Sequence, residues 1–193
     1  MSEHENHGND TALEFLRTRR SHPPKMLQGP APDRGQLREL LTIAARVPDH
    51  GKLEPWRFIV LERAALDRLA PLLADHVAAQ GGDEAAVAKA RSAMESPLIV
   101  AVVSSPVASD KIPQWEQFLS AGAVCLQLGN AALAQGLGAA WLTGPASQPE
   151  FAGPHLGLGE HERITGFVHI GQRSKTPPER PRPDIDARTS FAQ

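Results

Sequence analysis

Apolar positions along the chain fall into three patterns, and each predicts a different kind of element. Behind Asp33, a capping residue, Leu37, Leu40, Leu41, Ala44 and Ala45 recur at helical spacing, so a helix is expected to run to about Val47, where Pro48 forces its end. An earlier helix is expected over "DTALEFLRTRRS". Asp10 or Thr11 would cap it, Thr11-x-x-Glu14 resembles a capping box, and Leu13 and Leu16 would form its buried stripe. Further helices are expected from about Ala64, with an interruption at Pro71, and over "DEAAVAKARSAM" after the turn "QGGD". Short apolar runs bounded by turn residues, "WRFIVL", "PLIVAVVSS", "AAWLT" and "ITGFVHIG", read as about four strands. "PLIVAVVSS" has no polar face and is expected at the centre of a sheet, buried on both sides.

The third pattern runs from Gln114 to about Gln135 and is apolar nearly all round. With "GLGAAWL" it approaches the length of a membrane span, but Glu116, Gln117, Gln127, Asn130 and Gln135 recur through it and no basic flanks appear. It therefore predicts a helix wrapped by protein, either its own domain or a second subunit. Ser120, Ala121, Gly122 and Gly129 would permit close approach of another helix. Residues 1–10 read as a disordered lead, 11–175 as one domain, and 176–193 as a proline-rich tail crossing a surface, its own or a partner's. Strands alternating with helices suggest, by themselves, an α/β arrangement.

At 193 residues the chain holds one sizeable core. Twenty Lys and Arg against twenty-two Asp and Glu leave a net charge of −2, so no global field favours nucleic acid or an anionic membrane, and any anion must be held by a local cluster. The single cysteine, Cys125, forms no internal disulfide and is expected as a core residue in a reducing compartment. The polar start "MSEHENHGND" is neither a signal peptide nor an anchor, which points to the cytoplasm. There is no tyrosine, hence no tyrosine acid or base.

Two clusters fit an anion. Arg17, Arg19 and Arg20 close the first helix and Ser21 follows, while Arg180 and Arg182 stand in the tail. Guanidinium forks beside a hydroxyl match the oxygens of a phosphate monoester. "GLGAAW" lacks the third glycine of the dinucleotide fingerprint and sits between helix and strand, the reverse of the required order. No P-loop and no G-x-S-x-G elbow occur. The histidines lack metal-ligand spacing, so no metal is expected. What remains is the inventory of a protein whose bound cofactor carries the chemistry while the protein supplies position and electrostatics.

Four stretches together, "RRS", "ARVPDHGKLEPWRFIV", "WEQFLSAGAVCLQLGNAALAQGLGAAWLTG" and "GFVHIGQ", resemble the nitroreductase family of flavin enzymes, most closely its compact bacterial NAD(P)H nitroreductases. The resemblance runs from about Ala12 to Arg182. It implies an α+β fold around a mostly antiparallel sheet flanked by helices, and an intertwined homodimer with one FMN in each of two sites between subunits. It also implies NADH or NADPH as reductant and a small-molecule electron acceptor, nitroaromatic or quinone-like, reduced in ping-pong fashion. On the residues, the resemblance assigns Arg19, Arg20 and Ser21 to the phosphate and ribityl chain of FMN, and Arg182, less directly Arg180, to the phosphate. Arg46 and His50 become flavin contacts, with Lys52 beside them. Trp141, Leu142 and Thr143 line the flavin ring, and Ala131, Ala132, Leu133, Ala134, Gln135 and Gly136 form the segment assigned to NAD(P). Trp56 would anchor the loop from Arg46 to Glu54 by packing. Lys52 and Glu54 stand where the family's commonest form has Asn and Gln. A flavin enzyme for another substrate (a dehalogenase, an ene-type reductase or one that destroys its own flavin) and a non-catalytic flavin-binding protein remain open alternatives.

Overall fold

The computed structural model describes residues 9–192. The lead expected over 1–10 lies outside them except at its end, where Asn9 caps the first helix and Asp10 begins it. Five strands, β1 (Leu27–Gln28), β2 (Trp56–Glu62), β3 (Leu98–Ser104), β4 (Gly138–Leu142) and β5 (Arg163–Arg173), form one sheet. β5 is central, with β3 along one edge and β4 and β1 along the other, and β2 pairs the far side of β3. Every pairing is antiparallel. The fold is thus α+β, and the α/β arrangement suggested by strand–helix alternation is corrected. The physical reason lies in the connections. Between β2 and β3 the chain makes two helical legs, α3 (Arg63–Ala79) and α4 (Glu84–Ser92), which return it to the end of the sheet it left. Between β3 and β4 a single leg, α5 (Gln114–Ala134), leaves those two strands co-directional with antiparallel β5 between them.

Alternation along β3 divides the core into two layers. Leu98, Val100 and Val102 meet Val124 and Leu128 of α5 and Leu37 and Leu40 of α2 (Arg34–Ala44). Ile99, Ala101 and Val103 meet Leu66 and Leu73 of α3 and Phe151 of α6 (Pro149–Leu156). All of β3 is buried, as its unbroken apolar run predicts.

Several local expectations are modified. Helix α1 (Asp10–Thr18) is capped by the Asn9 side chain, which accepts from Ala12 N, not by Asp10 or a Thr11 box. Leu13 and Leu16 are not a buried stripe: they are 44% and 59% exposed, and of the helix's apolar side chains Phe15 packs on the core, because none of the described residues covers the other face. α2 begins with the Asp33–Gln36 capping box but ends at Ala44, ahead of Pro48. α3 runs unbroken through Pro71, since Leu66, Leu69, Leu73 and Val77 bury on both sides of it and outweigh one lost backbone bond.

Candidate functional site

The chain leaves α1 at Arg19, whose φ of −58° and ψ of 141° turn it into extended backbone. His22 N then donates to Ala139 O at 2.8 Å, fastening residues 19–22 alongside β4. The tail is brought to the same place after β5 by Ser174, whose N and Oγ both donate to Met26 O, at 3.0 and 2.9 Å. Arg19, Arg20 and Ser21 therefore share a cleft of about 300 Å³ with Pro177, Glu179, Arg180 and Arg182. Arg20 Nη1 donates to Pro177 O at 3.0 Å, and its Nη2 lies 2.7 Å from a Glu179 oxygen. The other Glu179 oxygen lies 2.7 Å from Arg182 Nη2. The Nε groups of Arg19 and Arg20 are buried and have no partner. Burial, then repulsion from Arg182 and Arg180, lowers the Arg19 pKa. Two guanidiniums thus grip one carboxylate in a cleft that four arginines line, and two buried N–H donors stand without an acceptor among the described residues. A phosphate supplies the missing charge and the missing acceptors, so the residues present fit a phosphate-bearing cofactor.

Two residues along β4 from Ala139, about 7 Å at strand rise, Trp141 begins the exposed stretch Trp141–Leu142–Thr143. Trp141 pairs with Val168, and its indole lies diagonally over Gly166 on the α5 side of the sheet. A Cβ at Gly166 would overlap Trp141 Nε1, so glycine there is what lets the indole lie flat. The segment Ala131–Gly136 serves a different end. Ala131, Ala132 and Leu133 are buried in the α5 core, leaving only Ala134, Gln135 and Gly136 on the surface. Gly136, with φ of 86°, closes α5: its N bonds Leu133 O, and Leu137 N bonds Ala132 O.

The loop between α2 and β2 is built on Asp49, whose carboxylate accepts from Leu53 N at 3.1 Å and Glu54 N at 2.8 Å. Gly51, Lys52 and Glu54 all adopt left-handed backbone, φ 74°, 55° and 48°. Trp56 does anchor this loop, through a bond as well as through packing. Its Nε1 donates to Ser120 Oγ at 3.3 Å, and that hydroxyl donates to Pro48 O at 2.7 Å. His50 Nδ1 lies 2.8 Å from Glu116 Oε2. Together they wall a cleft of about 320 Å³ with Ile112, Leu119 and Ala123. Arg46 and Lys52 are exposed, and among the described residues no ion pair joins Lys52 to Glu54. Sequence reasoning overlooked Glu116, Ser120 as a hydrogen-bond relay, and Glu179. Only Glu179 carried a signal, a carboxylate next to Arg180 in an otherwise basic stretch.

Within one chain the arginine cleft and the His50 cleft share no residue. This geometry defines an antiparallel α+β domain whose clustered arginines fit a phosphate-bearing cofactor. The chain belongs to the nitroreductase family, whose model matches residues 16–172. It is 37% identical over 161 residues to the Escherichia coli K12 protein named "Putative NAD(P)H nitroreductase YdjA", covering 83% of this chain and 87% of that one. To a Haemophilus influenzae protein of the same description it is 38% identical over 163 residues, with the same coverage. Among solved structures, a nitroreductase-like family protein from Bacillus cereus superimposes with a TM-score of 0.75 at 24% identity, covering 93% of this chain and 95% of that one. A Bacteroides fragilis nitroreductase with bound FMN gives 0.71 at 18%, covering 96% and 100%. Both structural likenesses share the fold.

Proposed function

We propose that this chain is a soluble, cytoplasmic, FMN-dependent NAD(P)H oxidoreductase that reduces electron-poor nitroaromatic or quinone-like acceptors, working as a homodimer with FMN between subunits. The observation that carries the reading is the pair of buried, unpartnered Nε donors on Arg19 and Arg20 inside a four-arginine cleft. In this role Arg19, Arg20, Ser21, Arg180 and Arg182 hold the phosphate. Trp141, Leu142 and Thr143 offer an exposed strand end to the ring system. Arg46, His50 and Lys52 reach it from the second subunit's loop. Bound flavin supplies two-electron transfer between nicotinamide and acceptor in alternating half-reactions, so this chain needs no covalent nucleophile. Its own residues position the group: the Asp49 and Ser120 bonds hold the loop, and Ile112, Leu119 and Ala123 give the cleft beside His50 an apolar wall.

Two observations support the dimer. The outward stripe of α5 carries Trp115 (64% exposed), Leu119 (62%) and Leu126 (51%) with Gly122 between them, and α1 leaves Leu13 and Leu16 uncovered. In the proposed dimer a second copy covers these faces, one chain's arginine cleft and the other's His50 cleft complete one site, and the tail beyond Pro183 packs on the partner. The test is direct. Purified protein should be yellow, and its heat-released cofactor should chromatograph as FMN. Arg19→Ala and Arg20→Ala should each weaken FMN binding about ten- to a hundredfold, the worth of a charge-assisted bond of roughly 1.5–3 kcal/mol. A colourless protein that takes up no FMN, or unchanged dissociation constants in both variants, overturns the reading.

A further inference from the structure

We propose that Glu179 is a built-in competitor for the phosphate in the arginine cleft, so that a phosphate monoester enters by displacing the carboxylate from Arg20 and Arg182. The identity of the ligand rests on the flavin reading; the exchange itself rests on the cleft.

Glu179 presents one oxygen to Arg20 Nη2 and the other to Arg182 Nη2, both at 2.7 Å. A phosphate would use the same two donors, since two of its terminal oxygens form the same kind of edge. The carboxylate is nevertheless an incomplete filler. It brings one negative charge to four arginines, and it leaves Nε of Arg19 and Arg20 buried without an acceptor. A dianion answers the charge deficit, and its third oxygen gives the arginines an acceptor that the carboxylate lacks. The two anions do not fit together, because the Nη2 donors are already taken and like charges would lie side by side in a cleft lined by Pro23, Pro177 and Pro178.

Release of the carboxylate is mechanically simple. Among the described residues, Arg20–Glu179 is the one ion pair that ties the chain beyond Pro178 to the body of the protein; the Arg182 contact lies within the tail itself. Residues 178–192 are exposed throughout. Exchange therefore breaks the Arg20 pair and turns Arg182 from Glu179 to the incoming phosphate, with no repacking of the core. The tail thereby changes its anchor, from the Glu179 carboxylate on Arg20 to Arg182 on the phosphate.

The experiment compares wild type with Glu179→Gln as full-length proteins stripped of flavin, using inorganic phosphate, FMN and riboflavin as probes, read by calorimetry and flavin fluorescence. The exposed side chain makes the variant safe for folding, and Glu150→Gln, an exposed carboxylate far along the chain, serves as control. Expected is phosphate and FMN binding on the order of tenfold tighter in Glu179→Gln, riboflavin binding unchanged, and no effect in the control. Phosphate binding equal to or weaker than wild type overturns the proposal, weaker binding meaning that the carboxylate orients the arginines. The two readings fail separately. Tighter phosphate with no uptake of FMN or riboflavin sustains the competitor and removes the flavin; equal FMN affinity in both proteins removes the competitor and keeps the flavin.

Discussion

Replacing Glu162 with Gln should remove a pH-dependent clamp at the start of β2, immediately after the loop that carries His50. Arg57, the residue after Trp56, grips Glu162 with two parallel bonds, Nε to Oε1 at 2.7 Å and Nη2 to Oε2 at 2.6 Å. Gly159 N adds a third at 2.9 Å, and Arg57 Nη2 also reaches Gly157 O at 3.0 Å. These bonds, Arg57 first, pull the Glu162 carboxyl from its ordinary 4.5 down to about 2 against an opposing desolvation. A difference of about 2.5 pH units corresponds to about 3 kcal/mol at 1.36 kcal/mol per unit. The Glu162 side chain is only 15% exposed, but that of Arg57 is 39% exposed, so water screens the pair and about 1–2 kcal/mol is the working figure. The folded value lies below the unfolded one. The stabilisation is therefore full above about pH 4.5 and is lost as pH falls from there towards 2. Urea unfolding followed by circular dichroism should find Glu162→Gln less stable than wild type by about 1–2 kcal/mol at pH 7, with the gap closing below pH 3. Because other carboxylates titrate identically in both proteins, the difference isolates this one. A gap that stays constant from pH 7 to pH 2.5 would refute the reasoning, since it would mean the loss came from packing and not from charge.

Two further outcomes follow from the same coordinates. Leu126→Glu places a charge in the outward stripe of α5, where the side chain is half exposed in the single chain; light scattering should then give a monomer at micromolar concentration where wild type gives a dimer, and a dimer that persists would place the interface elsewhere. Lys52→Asn should raise stability by about 0.5–1 kcal/mol, because Asn tolerates the left-handed backbone at φ 55° better than Lys does; a lower unfolding midpoint would mean that the lysine side chain makes a compensating contact in the assembled protein.

Periodicity made α2 and β3 legible because each buries its apolar residues against its own chain, while α5 was legible from its length and apolarity although its outward stripe stays exposed in the single chain. Strand direction was not legible, since the same apolar run serves a parallel or an antiparallel neighbour; direction follows from the number of helical legs, which pairing alone reveals. β1 is two residues long and α6 carries two prolines and a glycine in eight residues, so neither offers a period to read. The arginine cleft could be anticipated because guanidiniums clustered at two points in a chain of nearly zero net charge call for an anion. Its occupant, Glu179, left only the weaker mark of a carboxylate beside Arg180, because an ion pair between the end of α1 and a distant tail leaves no spacing in the sequence. The opening helix is the instructive case. Leu13 and Leu16 read as a buried stripe and are exposed in the single chain; in the proposed dimer the cover would come from the second copy. A hydrophobic pattern is selected in the assembled state, where an exposed stripe of Leu and Trp costs solvation and invites aggregation. An amphipathic helix left open in a single chain therefore carries information about the assembly. On α1 and α5 that information points the same way as the proposed dimer, in which the two clefts of different chains would complete one cofactor site.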